Sequence, residues 1–216
     1  MRLKGISALR SLLPLVAFTL PVLAQAAPVG AWTVGIRGGL TLSDAQTSEL
    51  DSQLAARGHT VSTQIDKRDV AVIGSLGYQV CKLFSLEASL GSLGNYDVAL
   101  SGGSTRPAAL PADLAELKPA GGLFVGLGVR QDLPITDKLS LTTRLGGIAW
   151  QQESEITGTS GNEKIDDQGL GVMTGAALKL ALGAHWGLSL GGDWFYQNER
   201  GSIGVAQAGL EYAFGK

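Results

Sequence analysis

Apolar residues alternate with polar or small residues along most of the chain from Trp32 onwards. In the first such segment Trp32, Val34 and Ile36 fall on one face, and Thr33 and Gly35 fall on the other. A period of two residues is typical of a β-strand, because successive side chains point to opposite faces. Eight segments follow this pattern, namely residues 32–42, 70–80, 84–90, 122–130, 139–146, 170–180, 186–196 and 203–214. The pattern therefore predicts an all-β chain with an even number of strands.

The connections between these segments alternate between long and short. Long connections span about residues 43–69, 95–120 and 151–168, and short ones lie near 81–82, 131–138 and 181–185. This alternation is typical of an antiparallel up-and-down membrane barrel, whose short turns face the periplasm and whose long loops face outwards. Leu50 and Leu54, followed by Gly58, predict a short helix over 48–57, and residues 111–117 predict a further helical turn.

The second face of each segment decides whether the barrel is soluble or membrane-embedded. That face carries mostly Gly, Ser, Thr and Ala with few charges, whereas the exterior of a soluble barrel requires many Lys and Glu. Small residues suit the narrow lumen of an eight-stranded barrel. Aromatic residues near strand ends suit interfacial girdles, and they are Trp32, Tyr78, Phe84, Trp186, Trp194, Tyr196, Tyr212 and Phe214. We therefore predict an eight-stranded antiparallel transmembrane β-barrel rather than a soluble one.

The N-terminal residues have the features of an export signal. Arg2, Lys4 and Arg10 precede an apolar stretch over 12–23, which is followed by the small-x-small pattern that ends at Ala26. The stretch is shorter than the roughly 20 residues that a helical span needs. We expect Sec-type export with cleavage between Ala26 and Ala27, which leaves residues 27–216 as one barrel domain in the outer membrane of a Gram-negative bacterium.

Composition and charge narrow the choice of partners. Removal of residues 1–26, which carry three basic and no acidic residues, leaves 14 basic and 19 acidic residues. This negative balance argues against nucleic acid as a partner. The chain has one cysteine, Cys81, so an intramolecular disulfide is excluded, and we interpret Cys81 as a small turn residue.

Charged residues on the lumen face form the one constellation with a clear physical meaning. The basic members are Arg37, Arg130, Arg144 and Lys179, and the acidic members are Glu87, Asp193 and Glu211. A buried charge without a partner is costly, so mixed signs predict a paired network that plugs the barrel. Bulky residues on the same face, which are Phe124, Ile148, Met173 and Phe195, also favour a filled lumen.

Enzymatic and metal-binding sites are not indicated by the residue types. A barrel hydrolase needs a histidine that activates a serine and is oriented by an acid. The two histidines, His59 and His185, fall in connections on opposite sides of the membrane, and neither has a serine in an evident motif. Glu163, Asp166 and Asp167 are acidic loop residues, which we interpret as a solvated turn, with divalent-cation binding as the alternative. We expect no enzymatic activity and no cofactor.

Three sequence segments carry a resemblance to a known family. The segments are WTVGIRGG at 32–39, VIGSLGY at 72–78 and LEASLG at 86–91. They resemble the membrane domain of outer-membrane protein A and its small-barrel relatives, over about residues 30–214. The resemblance implies that lumen ion pairs could exchange partners and admit ions. It also implies that an aromatic C-terminus is recognised by the barrel-insertion machinery. Here Phe214 is followed by Gly215 and Lys216, so Tyr212 and Phe214 are the candidate signal.

Two functional hypotheses remain from the sequence. The first is a structural or surface-interaction protein whose long loops bind surface ligands, because function in scaffolded folds concentrates in loops. The second is a small gated pore or passive channel for ions or small molecules. Under both hypotheses the exterior contacts outer-membrane lipids and lipopolysaccharide.

Overall fold

The fold is known from a computed structural model of the chain. It describes residues 28–43, 47–65, 68–94, 98–104, 109–110, 113, 121–158, 161–197 and 201–215. The expected signal peptide over 1–26 and the cleavage position between Ala26 and Ala27 lie outside these residues.

Eight strands close into an antiparallel barrel. They are β1 (Trp32–Ser43), β3 (Arg68–Gln79), β4 (Phe84–Ser92), β6 (Leu123–Pro134), β7 (Leu139–Gly158), β8 (Gly161–Ala181), β9 (Trp186–Gln197) and β10 (Gly201–Phe214). Around the barrel they follow the order β1-β10-β9-β8-β7-β6-β4-β3, and β1 closes the ring by pairing with both β3 and β10. The predicted fold class is confirmed, since each of the eight alternating segments corresponds to one strand of the barrel.

Burial in this barrel is the reverse of that in a soluble protein. Leu170 and Leu190 on the outer face are 74% and 69% exposed, whereas Arg37 and Glu87 on the inner face are 1% and 3% exposed. Apolar side chains are favoured on the outside only when lipid rather than water surrounds the barrel. No helix in the described residues is long and apolar enough to cross a membrane.

The first two long connections fold together beyond the barrel rim. They contain helix α1 (Thr47–Ala56), strand β2 (His59–Ile65) and strand β5 (Val98–Ser104). The helix was predicted over 48–57, and it ends before Gly58, whose φ of 89° is a left-handed conformation that suits glycine. β2 and β5 were not predicted, and they pair antiparallel from His59↔Ser104 to Ile65↔Val98. We call α1, β2 and β5 the loop module.

Two connection boundaries differ from the sequence prediction. Residues 151–168 were expected to be a long loop, but β7 and β8 continue as a paired ribbon as far as Gly158↔Gly161. Residues 131–138 were expected to be a turn, but β6 runs on to Pro134. In the predicted helical turn over 111–117 the structure describes only Asp113, whose N–H donates to the carbonyl of Ala109 at 3.0 Å.

Candidate functional site

The half of the lumen nearest the short turns is filled by charged side chains. Alternation directs every second residue of each strand inward. The structure therefore brings together all seven residues named from the sequence, one per strand: Arg37 on β1, Glu87 on β4, Arg130 on β6, Arg144 on β7, Lys179 on β8, Asp193 on β9 and Glu211 on β10. An eighth charge, Asp132 on β6, joins them. We call these eight residues the charged layer.

One of the shortest ion pairs of the charged layer joins opposite walls of the barrel. The guanidinium of Arg130 donates two hydrogen bonds of 2.9 Å to the two carboxylate oxygens of Glu211. β6 and β10 lie four strands apart in a ring of eight, so this pair spans the full lumen. Arg130 also binds Asp132 at 2.9 Å, and Lys179 binds Asp132 at 3.1 Å and Glu211 at 3.7 Å. Planar two-point binding of this kind fixes orientation as well as charge.

The other half of the charged layer is looser and shares its partners. Arg37 contacts Glu87 and Asp193, each at 3.4 Å. Arg144 contacts Glu87 at 3.3 Å, and it contacts Asp193 and Glu211 at 3.6 Å each. Each arginine therefore lies between carboxylates from different strands, and no single pair holds this half.

The charged layer has equal numbers of positive and negative charges only because of Asp132, which was not predicted from the sequence. Arg130 and Arg144 stand directly opposite each other in the β6–β7 register, a placement that is unfavourable for like charges. Asp132 supplies the fourth carboxylate against four cations, and it also accepts a 2.6 Å hydrogen bond from the hydroxyl of Thr142. Asp132 was missed because it was assigned to a turn. Its spacing of two from Arg130 was the signal that could have found it.

Glycines give the charged layer its room. A Cβ added to Gly175 would collide with the carboxylate of Asp193, and one added to Gly209 would lie 2.6 Å from Cγ of Arg37. Because real Cβ atoms do not approach other atoms so closely, the side chains of Asp193 and Arg37 fit only beside a glycine. This accounts for part of the glycine content of the inner face.

An apolar cluster fills the lumen between the charged layer and the loop module. Phe195 is fully buried and meets Phe124 edge-on, with ring centroids 5.0 Å apart. We call this cluster the apolar plug, and it comprises Ala71, Ile73, Leu93, Phe124, Ile148, Trp150, Met173, Phe195, Ile203 and Val205. The four bulky residues expected from the sequence to fill the lumen all belong to it. A path for ions would have to cross both the apolar plug and the charged layer.

The loop module holds a second polar cluster, which we call the His59 cluster. His59 is fully buried, and its Nδ1 lies 2.6 Å from Oγ of Ser104 while its Nε2 lies 2.8 Å from Oδ2 of Asp113. Arg57, just after α1, donates to Oδ1 of Asp113 at 3.0 Å. The first and second long connections are thus tied together by side chains that are distant in sequence. From the sequence, no serine was assigned to either histidine.

Hydrogen-bond chemistry fixes the roles of the atoms in the His59 cluster. An ionised carboxylate can only accept, so Nε2 of His59 carries the proton that is donated to Asp113. In the neutral ring Nδ1 is then an acceptor, and the hydroxyl of Ser104 donates to it. Hydrogen bonds from His59 and Arg57 hold the pKa of Asp113 below its ordinary value of 3.8.

The remaining residues named from the sequence are dispersed. His185 lies in a short turn at the opposite end of the barrel from His59, with Nδ1 2.9 Å from the carbonyl of Ala213. Cys81 is exposed in another short turn. Among the described residues, no group of three or more His, Cys, Asp or Glu could hold a metal ion. Glu163, Asp166 and Asp167, expected in a solvated loop, lie on β8 instead.

The aromatic residues expected at the short-turn end cluster there. The rings of Trp186 and Tyr212 lie 4.9 Å apart, those of Tyr212 and Phe214 lie 6.3 Å apart, and those of Trp32 and Tyr78 lie 4.9 Å apart. Four of these residues are exposed and Tyr212 is half-buried, so together they form part of an aromatic ring around the outer surface, as an interfacial girdle requires.

Known proteins share this architecture. The N-terminal β-barrel domain of OprF from Pseudomonas aeruginosa superposes with a TM-score of 0.53 at 13% sequence identity, covering 86% of this chain and 98% of that one. The outer membrane protein OprG from the same organism superposes with a TM-score of 0.53 at 11% identity, covering 87% and 97%. No curated protein sequence matches. The profile of the OmpA-like transmembrane domain matches residues 31–216. This chain is an outer-membrane β-barrel and belongs to the OmpA-like transmembrane domain family.

Proposed function

We propose that the protein acts at the cell surface through its loop module, and that the barrel is a closed anchor for that module. The observation that carries the proposal is the contrast between the filled lumen of the barrel and the folded loop module. The lumen is occupied at two levels, by the charged layer and by the apolar plug. The described parts of the first two long connections, in contrast, form a helix and a two-stranded sheet.

The order of the loop module supports a role in binding. Leu54 of α1 is fully buried, and His59 ties β2 to Ser104 of β5 and to Asp113. Folding these connections costs conformational entropy, which is lost before any partner arrives. A surface that is ordered in advance binds with a smaller entropic cost, and binding residues in scaffolded folds lie mostly on such loops.

Deletion of residues 102–116 tests this proposal, because it removes the end of β5 together with Asp113 and leaves all barrel strands in place. The variant should retain heat-modifiable mobility on a gel and should lose adhesion to host surfaces, phage sensitivity or envelope integrity. Cys81→Ser, on an exposed turn at the other end of the barrel, is the control and should behave as wild type. An unchanged phenotype across all three assays would overturn the proposal.

A small gated pore is the second candidate, and the looser half of the charged layer favours it. Arg144 has three carboxylates within 3.6 Å, so it could exchange partners at a small cost in distance. The apolar plug opposes this role because Phe195 and Phe124 meet across the lumen. Planar-bilayer recordings of the pure protein decide between the two. Absence of conductance in both wild type and Glu87→Ala would end the pore hypothesis.

A further inference from the structure

The His59 cluster has features that a purely structural tie does not require. A buried base contacts a serine hydroxyl on one side and a carboxylate on the other, and a cation fixes that carboxylate. A nucleophile within hydrogen-bond reach of a base, with the base oriented by a third group, is the arrangement by which proteins activate hydroxyl nucleophiles. We propose that Ser104 is an activated nucleophile that accepts an acyl group from carboxylic esters at the cell surface. This inference goes beyond the proposed surface-binding function.

The exposure of the two partners fits this chemistry. The ring of His59 is fully buried, whereas Ser104 is only partly buried. The base is thus shielded from solvent, while the serine keeps part of its surface exposed.

The direction of the hydrogen bonds sets the proton path. When the ring of His59 is neutral, Nε2–H donates to Asp113 and Nδ1 accepts from Ser104, so the ring can take the serine proton at Nδ1. The hydroxyl oxygen then forms a bond to the ester carbonyl carbon, the bond to the alkoxide leaving group breaks, and the alkoxide takes the proton back from Nδ1. The products are an acyl-serine and the free alcohol, so no other reactant is required.

The ring is oriented in the reverse sense to that of the serine proteases, where Nε2 faces the serine. Either nitrogen of a neutral imidazole can be the acceptor, and the carboxylate selects which one. Asp113 and Arg57 do not meet the ester in this scheme. They are positioning residues, which hold the ring with Nδ1 towards Ser104.

The test is covalent labelling of the full chain, refolded in detergent, with p-nitrophenyl butyrate and with a fluorophosphonate ester, followed by peptide mass spectrometry. Ser104 should carry the butyryl or phosphonyl group. Ser62, an exposed serine on the partner strand β2, is the internal control and should stay unmodified on the same time scale. Absence of label on wild-type Ser104, or equal labelling of Ser104 and Ser62, would overturn the proposal.

Variants separate activation from a structural role. His59→Gln should slow labelling of Ser104 by about 100-fold or more, the usual contribution of a general base. Asp113→Asn should slow labelling while the barrel keeps its heat-modifiable mobility. Labelling of Ser104 at the wild-type rate in His59→Gln would assign His59 a structural role alone and would reject activation.

Discussion

Removal of the negative charge of Glu211 should destabilise the barrel through the charged layer. In Glu211→Gln, Arg130 loses an ionised partner that it holds with two bonds of 2.9 Å, and Lys179 loses a contact at 3.7 Å. Four cations then face three carboxylates. Loss of one partner of a buried pair costs about 3–5 kcal/mol, because the remaining charge is buried without compensation. Arg130 keeps Asp132 at 2.9 Å, so we expect a loss near the lower end, about 3 kcal/mol.

A double-mutant cycle measures the interaction energy between Arg130 and Glu211. Arg130→Gln alone should cost a similar amount, since it leaves Glu211 and Asp132 with fewer cations. The double variant restores equal numbers of charges, so its loss should be smaller than the sum of the two single losses by about 1–3 kcal/mol. Equilibrium unfolding of the refolded protein in lipid vesicles, followed by tryptophan fluorescence, measures all four free energies.

Asp51→Asn is the matched control for this cycle, because Asp51 lies on α1 outside the barrel. It should leave the free energy of unfolding of the barrel unchanged. The reasoning would be refuted if Glu211→Gln unfolded within experimental error of wild type. It would also be refuted if the two single losses added without coupling, since the charges would then not act as one layer.

Three further outcomes follow from the packing and the hydrogen bonds. Phe195→Ala, which removes a fully buried ring from its contact with Phe124, should lower the free energy of unfolding by about 3–5 kcal/mol, yet planar bilayers should show no conductance because the charged layer still crosses the lumen. Gly175→Ala should cost about 1–3 kcal/mol in the same unfolding assay, because its methyl group displaces the carboxylate of Asp193. The pKa of Asp113 is lowered in the folded state by its hydrogen bonds from His59 and a neighbouring arginine, so its stabilisation of the loop module is present above the ordinary value of 3.8 and should fade as the pH falls through the lowered pKa. Amide exchange in β2 and β5 should show this loss of protection, and Asp113→Asn should remove its pH dependence.

The barrel could be predicted from the sequence because lipid and lumen impose different chemistry on alternate residues. Leu170 and Gly171 face different surroundings, and the same contrast recurs along every strand within the membrane. Because every second residue of a strand points into the lumen, the alternation also identified seven members of the charged layer. Asp132 also faces inward, but it fell in the short connection that was expected over 131–138, whereas β6 continues to Pro134.

The parts beyond the rim could not be predicted in this way. The outer halves of β7 and β8 extend past Gln151, the last β7 residue that pairs with β6, so the alternation that the membrane imposes ends there. β2 and β5 have weak alternation for a similar reason, since each belongs to a small sheet outside the membrane. The His59 cluster joins residues 45 and 54 positions apart, and no local spacing encodes such a contact.

The pairing of β1 with β10 determines when the barrel can form. Its register runs from Trp32↔Phe214 to Ser43↔Ile203, so the joined residues are between 160 and 182 positions apart in the chain. Contacts at such separation carry the largest loop-closure entropy and form slowly. Until β10 is available, one edge of β1 has unpaired N–H and C=O groups, which hydrocarbon cannot satisfy. We therefore expect this seam to close late, so the unpaired edge of β1 must be kept from aggregating for as long as its last neighbour is missing.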